Sequence, residues 1–138
     1  MIDWIDSARE ALKGENTMTL QECYLELGGD YAAVQQRLPT QSLIKRFITK
    51  FLDDGSYAQL CGAMQAGQRQ EAFRAAHTLK GVCANLGFDR LCGSASQLTE
   101  LLRPTGDGIP ADAQALLAEV ARYYDATVGA IRRFLSDQ

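Results

Sequence analysis

Residues 71–87 read EAFRAAHTLKGVCANLG, and the spacing of their apolar side chains predicts an amphipathic helix. At about 100° per residue, one broad stripe gathers Ala72, Ala75, Ala76, Leu79, Val82, Cys83 and Leu86. His77 points about 160° away from the centre of that stripe. Because His77 is the only histidine of the 138-residue chain, this helix is expected to present a lone imidazole to solvent.

Two small residues, Gly81 and Ala84, lie near the imidazole on the outer face of the predicted helix. The neighbours on that face are Phe73, Lys80, Gly81 and Ala84. A glycine inside a helix costs about 0.5–1 kcal/mol relative to alanine, so its presence needs a reason. Steric clearance beside His77 is one reason, and close packing of a second helix is the other. An open histidine of this kind is a candidate reaction site, although a lone surface histidine can also be inert.

The stretch from His77 to Gly87 resembles the phosphoacceptor motif of histidine-containing phosphotransfer (HPt) domains. The family pattern is His-x-Leu-Lys-Gly, followed by a short run of small residues and another glycine. This chain matches it in register with His77, Leu79, Lys80, Gly81 and Gly87. Many members carry Ser or Ala where Cys83 stands, and a thiol is similarly small. The resemblance extends over residues 18–137.

The resemblance implies a phosphocarrier of a His–Asp phosphorelay rather than an enzyme. His77 would accept a phosphoryl group from the aspartyl phosphate of a receiver domain and pass it on. Lys80 would support the transferring group electrostatically, and Phe73, Gly81 and Ala84 would form the docking surface. The partner would be a receiver domain of a response regulator or of a hybrid histidine kinase, bound transiently. This chain would need no cofactor and no metal, since the rest of the active site belongs to that partner.

Several alternatives stay open from the sequence. The chain could be the phosphoacceptor domain of a chemotaxis-type kinase, phosphorylated directly by an ATP-bound kinase domain. It could also be a helical interaction module in which His77 is inert. The alternative for Lys80 is a charge that only solvates the helix surface. The alternative for Phe73 is a ring that folds back over the edge of the helical bundle.

Composition and charge limit the class of protein. Hydrophobic residues make up 46% and charged residues 22%, which argues for one folded domain and against disorder. The net charge of −3, without a basic run, argues against nucleic acid as a partner. No stretch approaches the roughly 18 apolar residues of a membrane span, and the N-terminus lacks a signal-peptide pattern. We expect a cytoplasmic monomer.

The remaining candidate groups are expected to be structural. Cys23, Cys61, Cys83 and Cys92 contain no Cys-x-x-Cys pair, and one histidine is too few to favour a zinc site. Cys83 and Cys92 are interpreted as small core fillers. Asp89 and Glu100 are interpreted as solvated helix charges, because no second carboxylate is placed to pair with them.

Helices are predicted along the whole chain, with almost no strand signal. Caps at Thr19 and Asp30 start two of them, Gly87 ends the histidine helix, and residues 104–110 form the clearest loop. The predicted helices cover residues 2–13, 19–27, 30–38, 40–53, 56–66, 69–86, 88–103 and 110–136.

One-sided helices joined by short loops pack best as an antiparallel bundle. We therefore predict an all-α, up-down helical bundle with a four-helix HPt-type core and additional N-terminal helices across one end. The helix over 40–53 is expected to join that core with a wide apolar face of Leu43, Ile44, Phe47, Ile48, Phe51 and Leu52. Residues 1–17 are interpreted as an accessory helix or extension, and residues 18–138 as the bundle domain.

Overall fold

The computed structural model of the chain describes residues 17–138. Within that range there is no strand. The helices are α1 (Leu20–Leu27), α2 (Tyr31–Arg37), α3 (Gln41–Phe51), α4 (Ser56–Gln65), α5 (Arg69–Leu86), α6 (Asp89–Leu101) and α7 (Ala113–Ser136). The helix predicted over 2–13 lies outside the described residues, and the division after residue 17 stays a prediction.

Side-chain caps start the first three helices. Thr19 and Glu22 form a capping box, in which the Thr19 hydroxyl accepts from the Glu22 N–H at 3.0 Å and the Glu22 carboxylate accepts from the Thr19 N–H at 3.2 Å. The carboxylate of Asp30 and the hydroxyl of Thr40 each accept from the N–H three residues later, at 3.0 and 3.1 Å. These bonds satisfy N–H groups that have no partner inside a helix, so local sequence fixes where α1, α2 and α3 begin.

α4, α5, α6 and α7 form the core of the bundle, each packed against the next along the chain, and α1 packs against α7. Their shared interior contains fully buried Leu60, Leu79, Leu91, Leu98 and Ile131. α3 joins it through Phe51, whose ring centroid lies 5.1 Å from that of Phe88 and 5.9 Å from that of Tyr124. The predicted all-α bundle is confirmed. No helix among residues 17–138 is both long and apolar enough to cross a membrane.

The apolar face predicted for α3 is too wide. Ile44, Ile48 and Phe51 are buried, but Leu43 and Leu52 are only partly covered. Phe47 is 38% exposed, and the Lys50 ammonium lies 5.6 Å from the centroid of its ring. Because α3 packs against the bundle along one narrow stripe, its flanking apolar side chains remain at the edge of the contact.

Three helix boundaries differ from the prediction by two or three residues. α3 ends at Phe51 rather than at residue 53. α6 ends at Leu101 rather than at residue 103, and α7 begins at Ala113 rather than at residue 110. The guanidinium of Arg69 donates to three carbonyls at the end of α6, those of Leu101 (3.2 Å), Leu102 (3.3 Å) and Arg103 (2.9 Å). Before α7, the Ala113 N–H donates to the Pro110 carbonyl at 3.0 Å in a separate turn. The Arg69 contacts occupy carbonyls that a longer α6 would have bonded internally.

The N-terminal helices cover the end of the bundle at which α5 stops. Gly87 takes the left-handed conformation that ends α5, with φ of 71°, as predicted. Three groups from the N-terminal helices then bond to the last residues of α5. They are the Asp30 N–H to the Gly87 carbonyl (2.8 Å), the Tyr24 hydroxyl to the Leu86 carbonyl (2.7 Å) and the Arg37 guanidinium to the carbonyls of Ala84 (2.6 Å) and Asn85 (3.0 Å). These contacts hold the end of the histidine helix in place.

Tyr24→Phe tests that anchoring. Burial raises the pKa of the Tyr24 phenol, so the neutral hydroxyl donates to the Leu86 carbonyl at all ordinary pH values. Removing it leaves a buried carbonyl with one bond fewer, and we expect a loss of about 1 kcal/mol of unfolding free energy in urea titrations. Tyr31→Phe is the matched control, because no residue of 17–138 bonds to its hydroxyl and it should lose less than half as much. Equal losses would contradict a role for the Tyr24 bond.

Candidate functional site

His77 lies near the middle of α5 on its outward face. Its side chain is exposed, whereas Ala76 and Leu79, on the opposite side of the helix, are fully buried. The apolar stripe predicted from the sequence forms the core contact of α5, with Val82 only partly buried at its edge. Burial of that stripe therefore fixes the rotation of α5 that turns the imidazole toward solvent.

The surface beside His77 is open at Gly81 and Ala84. Both residues are exposed, and, apart from its chain neighbours and the backbone of its own helix, a Cβ built on Gly81 would meet no described atom within 4 Å. Gly29 shows the contrast, because a Cβ there would lie 2.5 Å from the Gly87 carbonyl oxygen. No described helix packs on Gly81, so close helix packing does not explain this glycine within residues 17–138. Clearance above the helix, one turn from the imidazole, is the property that the glycine provides.

Phe73 packs beside His77 rather than projecting freely. Its ring is nearly parallel to the imidazole, with an interplanar angle of 15° and centroids 6.1 Å apart. The side chain is half-buried and packs against the hydrophobic core. The guanidinium carbon of Arg103 lies 5.7 Å from the same ring centroid. Phe73 thus folds over the edge of the bundle, as the alternative expected, and leaves only part of its ring for a partner.

Lys80 lies on the Phe73 side of the outward face, one turn from His77. It is half-buried and forms no ion pair with a described residue. Its backbone carbonyl accepts from the Cys92 thiol of α6, with the sulfur 3.6 Å away. No residue among 17–138 therefore neutralises the ammonium of Lys80, which belongs to the helical turn after His77.

A carboxylate–arginine pair at the end of α6 completes this charged surface. Glu100 and Arg103 are joined by two hydrogen bonds, with Nε to Oε2 at 2.8 Å and a terminal guanidinium nitrogen to Oε1 at 2.9 Å. Hydrogen bonds from Arg103 hold the pKa of the Glu100 carboxyl below its ordinary value, and the charge of Lys80 adds to that effect. The sequence alone does not point to Arg103, since only the packing of α6 on α5 brings it to Phe73.

The cysteines do not add a reactive group to the site. Cys83 is buried as predicted, but Cys92 is only half-buried, and its thiol donates to the Lys80 carbonyl. Burial raises the pKa of the thiols of Cys83 and Cys92 and keeps them protonated. Among residues 17–138, no cluster of three or more His, Cys, Asp or Glu side chains could hold a metal ion.

The comparisons with known proteins identify the family. The family model of the Hpt domain matches residues 43–130, from the start of α3 to the last third of α7. The chain therefore belongs to the Hpt domain family, whose members are helical-bundle phosphocarrier modules that transfer phosphoryl groups through histidine in phosphorelays. The match confirms the resemblance carried by residues 77–87. Comparisons with curated proteins and with solved structures found no match.

Proposed function

We propose that His77 accepts a phosphoryl group from the aspartyl phosphate of a receiver domain and passes it onward in a multistep His–Asp phosphorelay. One observation carries the proposal. The only histidine of the chain is exposed on a helix of an Hpt domain, with open space above Gly81 one turn away. Because Gly81 carries no side chain and no described residue packs above it, the helix surface one turn from the imidazole leaves room for a receiver domain.

The transfer needs little from this chain beyond a positioned nucleophile. A neutral imidazole nitrogen of His77 attacks phosphorus, and an N–P bond forms as the O–P bond of the acyl phosphate breaks. The aspartate carboxylate leaves with the electron pair of that bond, and the ring proton stays on the other nitrogen of His77. Onward transfer to a second aspartate is the same reaction in reverse. The receiver supplies the rest of the active site.

The neighbouring residues take supporting roles in this proposal. Lys80 screens negative charge on the transferring group. Gly81 and Ala84 admit the rim of the receiver, while the accessible part of Phe73 adds a small apolar contact. The four free thiols fit a reducing compartment, so we place the protein in the cytoplasm. We also propose that it is a monomer that binds its receiver transiently.

A comparison of phosphoryl donors tests this function. The purified protein is mixed for seconds with phosphorylated receiver domains, or with an ATP-bound histidine kinase that lacks a receiver. We expect at least one receiver to transfer acid-labile label to the protein, and we expect the kinase that lacks a receiver to transfer none. If the protein is labelled by that kinase but by no receiver, it is the phosphoacceptor of a chemotaxis-type kinase. The absence of label from both donors would favour a helical interaction module.

Lys80→Ala tests the electrostatic role of the lysine. Transfer should slow about 5- to 30-fold, which corresponds to about 1–2 kcal/mol of barrier, because the partner supplies most of the charge stabilisation. Lys80→Arg keeps the charge and should restore most of the rate. Rapid-quench labelling and the half-life of the phosphohistidine are the measurements. If both are unchanged in Lys80→Ala, the lysine only solvates the helix surface.

A further inference from the structure

The ring of Phe73 contacts both the imidazole of His77 and the guanidinium of Arg103. The imidazole of His77 stacks on the ring of Phe73, with the two ring centroids 6.1 Å apart. The guanidinium carbon of Arg103 lies 5.7 Å from the centroid of the same Phe73 ring. His77 and Phe73 belong to α5, whereas Arg103 follows the last turn of α6. The packing of these two helices therefore places an arginine against the same ring as the candidate phosphoacceptor.

The ion pair between Arg103 and Glu100 is exposed to solvent and can be broken when a stronger anion is present. Its side chain is 57% exposed and that of Glu100 is 56% exposed, so water reaches both members of the pair. Exposed ion pairs contribute little to stability, and their side chains rearrange readily. The backbone of Arg103 is anchored separately, because its carbonyl accepts from Arg69 at 2.9 Å. The guanidinium can thus leave Glu100 without disturbing the end of α6.

We propose that Arg103 is a second phosphoryl-binding cation of this site, which moves from Glu100 to the phosphoryl group once His77 is phosphorylated. The inference rests on the proposed function of His77. A phosphoryl group on the imidazole adds negative charge and three strong acceptor oxygens next to the Phe73 ring, which the guanidinium of Arg103 also contacts. The planar guanidinium donates to such oxygens in pairs, which a lysine ammonium cannot do.

Glu100 acts in this arrangement as a competitor for the arginine. In the unphosphorylated protein its two oxygens occupy the same guanidinium donors that a phosphoryl group would use. Lys80 also acts on Glu100 at longer range, so the carboxylate draws on both cations of the site. Phosphorylation repels the carboxylate and attracts the cations. Removing the Glu100 charge should therefore stabilise phospho-His77, whereas removing Arg103 should destabilise it.

The chain offers a matched control in Arg74. That residue is three positions before His77 on α5, is 65% exposed, and pairs with Glu71 at i,i+3 just as Arg103 pairs with Glu100. Its side chain borders the groove between α4 and α5, on the other side of His77 from Phe73. If only the general positive field mattered, the two arginines would have similar effects.

The test uses phosphoramidate, a small donor that needs no receiver. Its P–N bond breaks as the N–P bond to His77 forms, and ammonia leaves with the electron pair. At a fixed ratio of phosphoramidate to ammonia, ³¹P NMR gives the equilibrium ratio of phosphorylated to free protein. We expect Arg103→Ala to lower that ratio about two- to fivefold. Arg103→Lys should restore part of it, Glu100→Gln should raise it, and Arg74→Ala should leave it unchanged.

Two results would overturn the inference while the proposed function stands. They are an unchanged ratio in Arg103→Ala, and an equal fall in Arg74→Ala. If the wild-type protein takes no phosphate from phosphoramidate or from any receiver, both the inference and the proposed function fail. Thermal unfolding midpoints of the four variants should match the wild type, because every substituted side chain is exposed.

Discussion

Replacing His77 with glutamine is expected to abolish phosphate acceptance and to leave the bundle folded. The glutamine amide has no nucleophilic nitrogen, since its lone pair is delocalised, so no N–P bond can form. The imidazole is exposed, and its one described contact is the stacking on Phe73. The unfolding free energy should therefore change by no more than about 0.5 kcal/mol. Labelling by a phosphorylated receiver and a urea titration measure the two effects.

These two measurements must be made on the same preparation. Loss of label together with a normal unfolding midpoint assigns the acceptor role to His77. Acid-labile label retained by His77→Gln would place the phosphoryl group on another residue and would remove the basis of the proposed function.

Replacing Gly81 with glutamine should separate stability from transfer. Glutamine favours a helix more than glycine does, so unfolding free energy should hold or rise by up to about 0.5–1 kcal/mol. The new side chain would project from the open face one turn from His77 and would keep the receiver away. Because small displacements of reacting atoms are costly, we expect transfer to slow by about 10- to 100-fold.

Gly93→Gln is the matched control for that experiment. Gly93 is an exposed glycine inside the neighbouring helix α6, and a Cβ there would also meet no described atom within 4 Å outside its chain neighbours and its own helix backbone. The Gly93→Gln variant should gain the same helix propensity as Gly81→Gln but should transfer phosphate at the wild-type rate. Wild-type transfer by Gly81→Gln would show that clearance is not why a glycine stands there. Equal slowing in both variants would point to helix rigidity instead.

The sequence predicts the parts of this site that depend on one helix. The period of the apolar residues sets the bounds and rotation of α5, and that rotation alone exposes His77 and Gly81. The caps at Thr19 and Asp30 are equally local, since each bonds to a backbone N–H within three residues. Such features are set by short-range hydrogen bonds and side-chain periodicity, which a single sequence displays.

Features that depend on contacts between helices could not be predicted in the same way. Arg69 ends α6 through carbonyls more than thirty positions later, and Arg37 bonds to the end of α5 across 47 positions. Arg103 meets Phe73 only through the pairing of α5 and α6. The exposure of Phe47 likewise depends on how closely α3 packs against the bundle. None of these residues stands in a recognisable sequence motif, and the packing of the helices determines which groups each one contacts.

The most direct test of the central claim is to locate the phosphoryl group after seconds of mixing with a phosphorylated receiver. Mass spectrometry at neutral to alkaline pH preserves phosphohistidine and assigns it to a peptide. We predict that the phosphoryl group is on His77, in an amount equal to the acyl phosphate lost by the receiver. Phosphate on any other residue, or acyl phosphate lost only as inorganic phosphate, would contradict the claim.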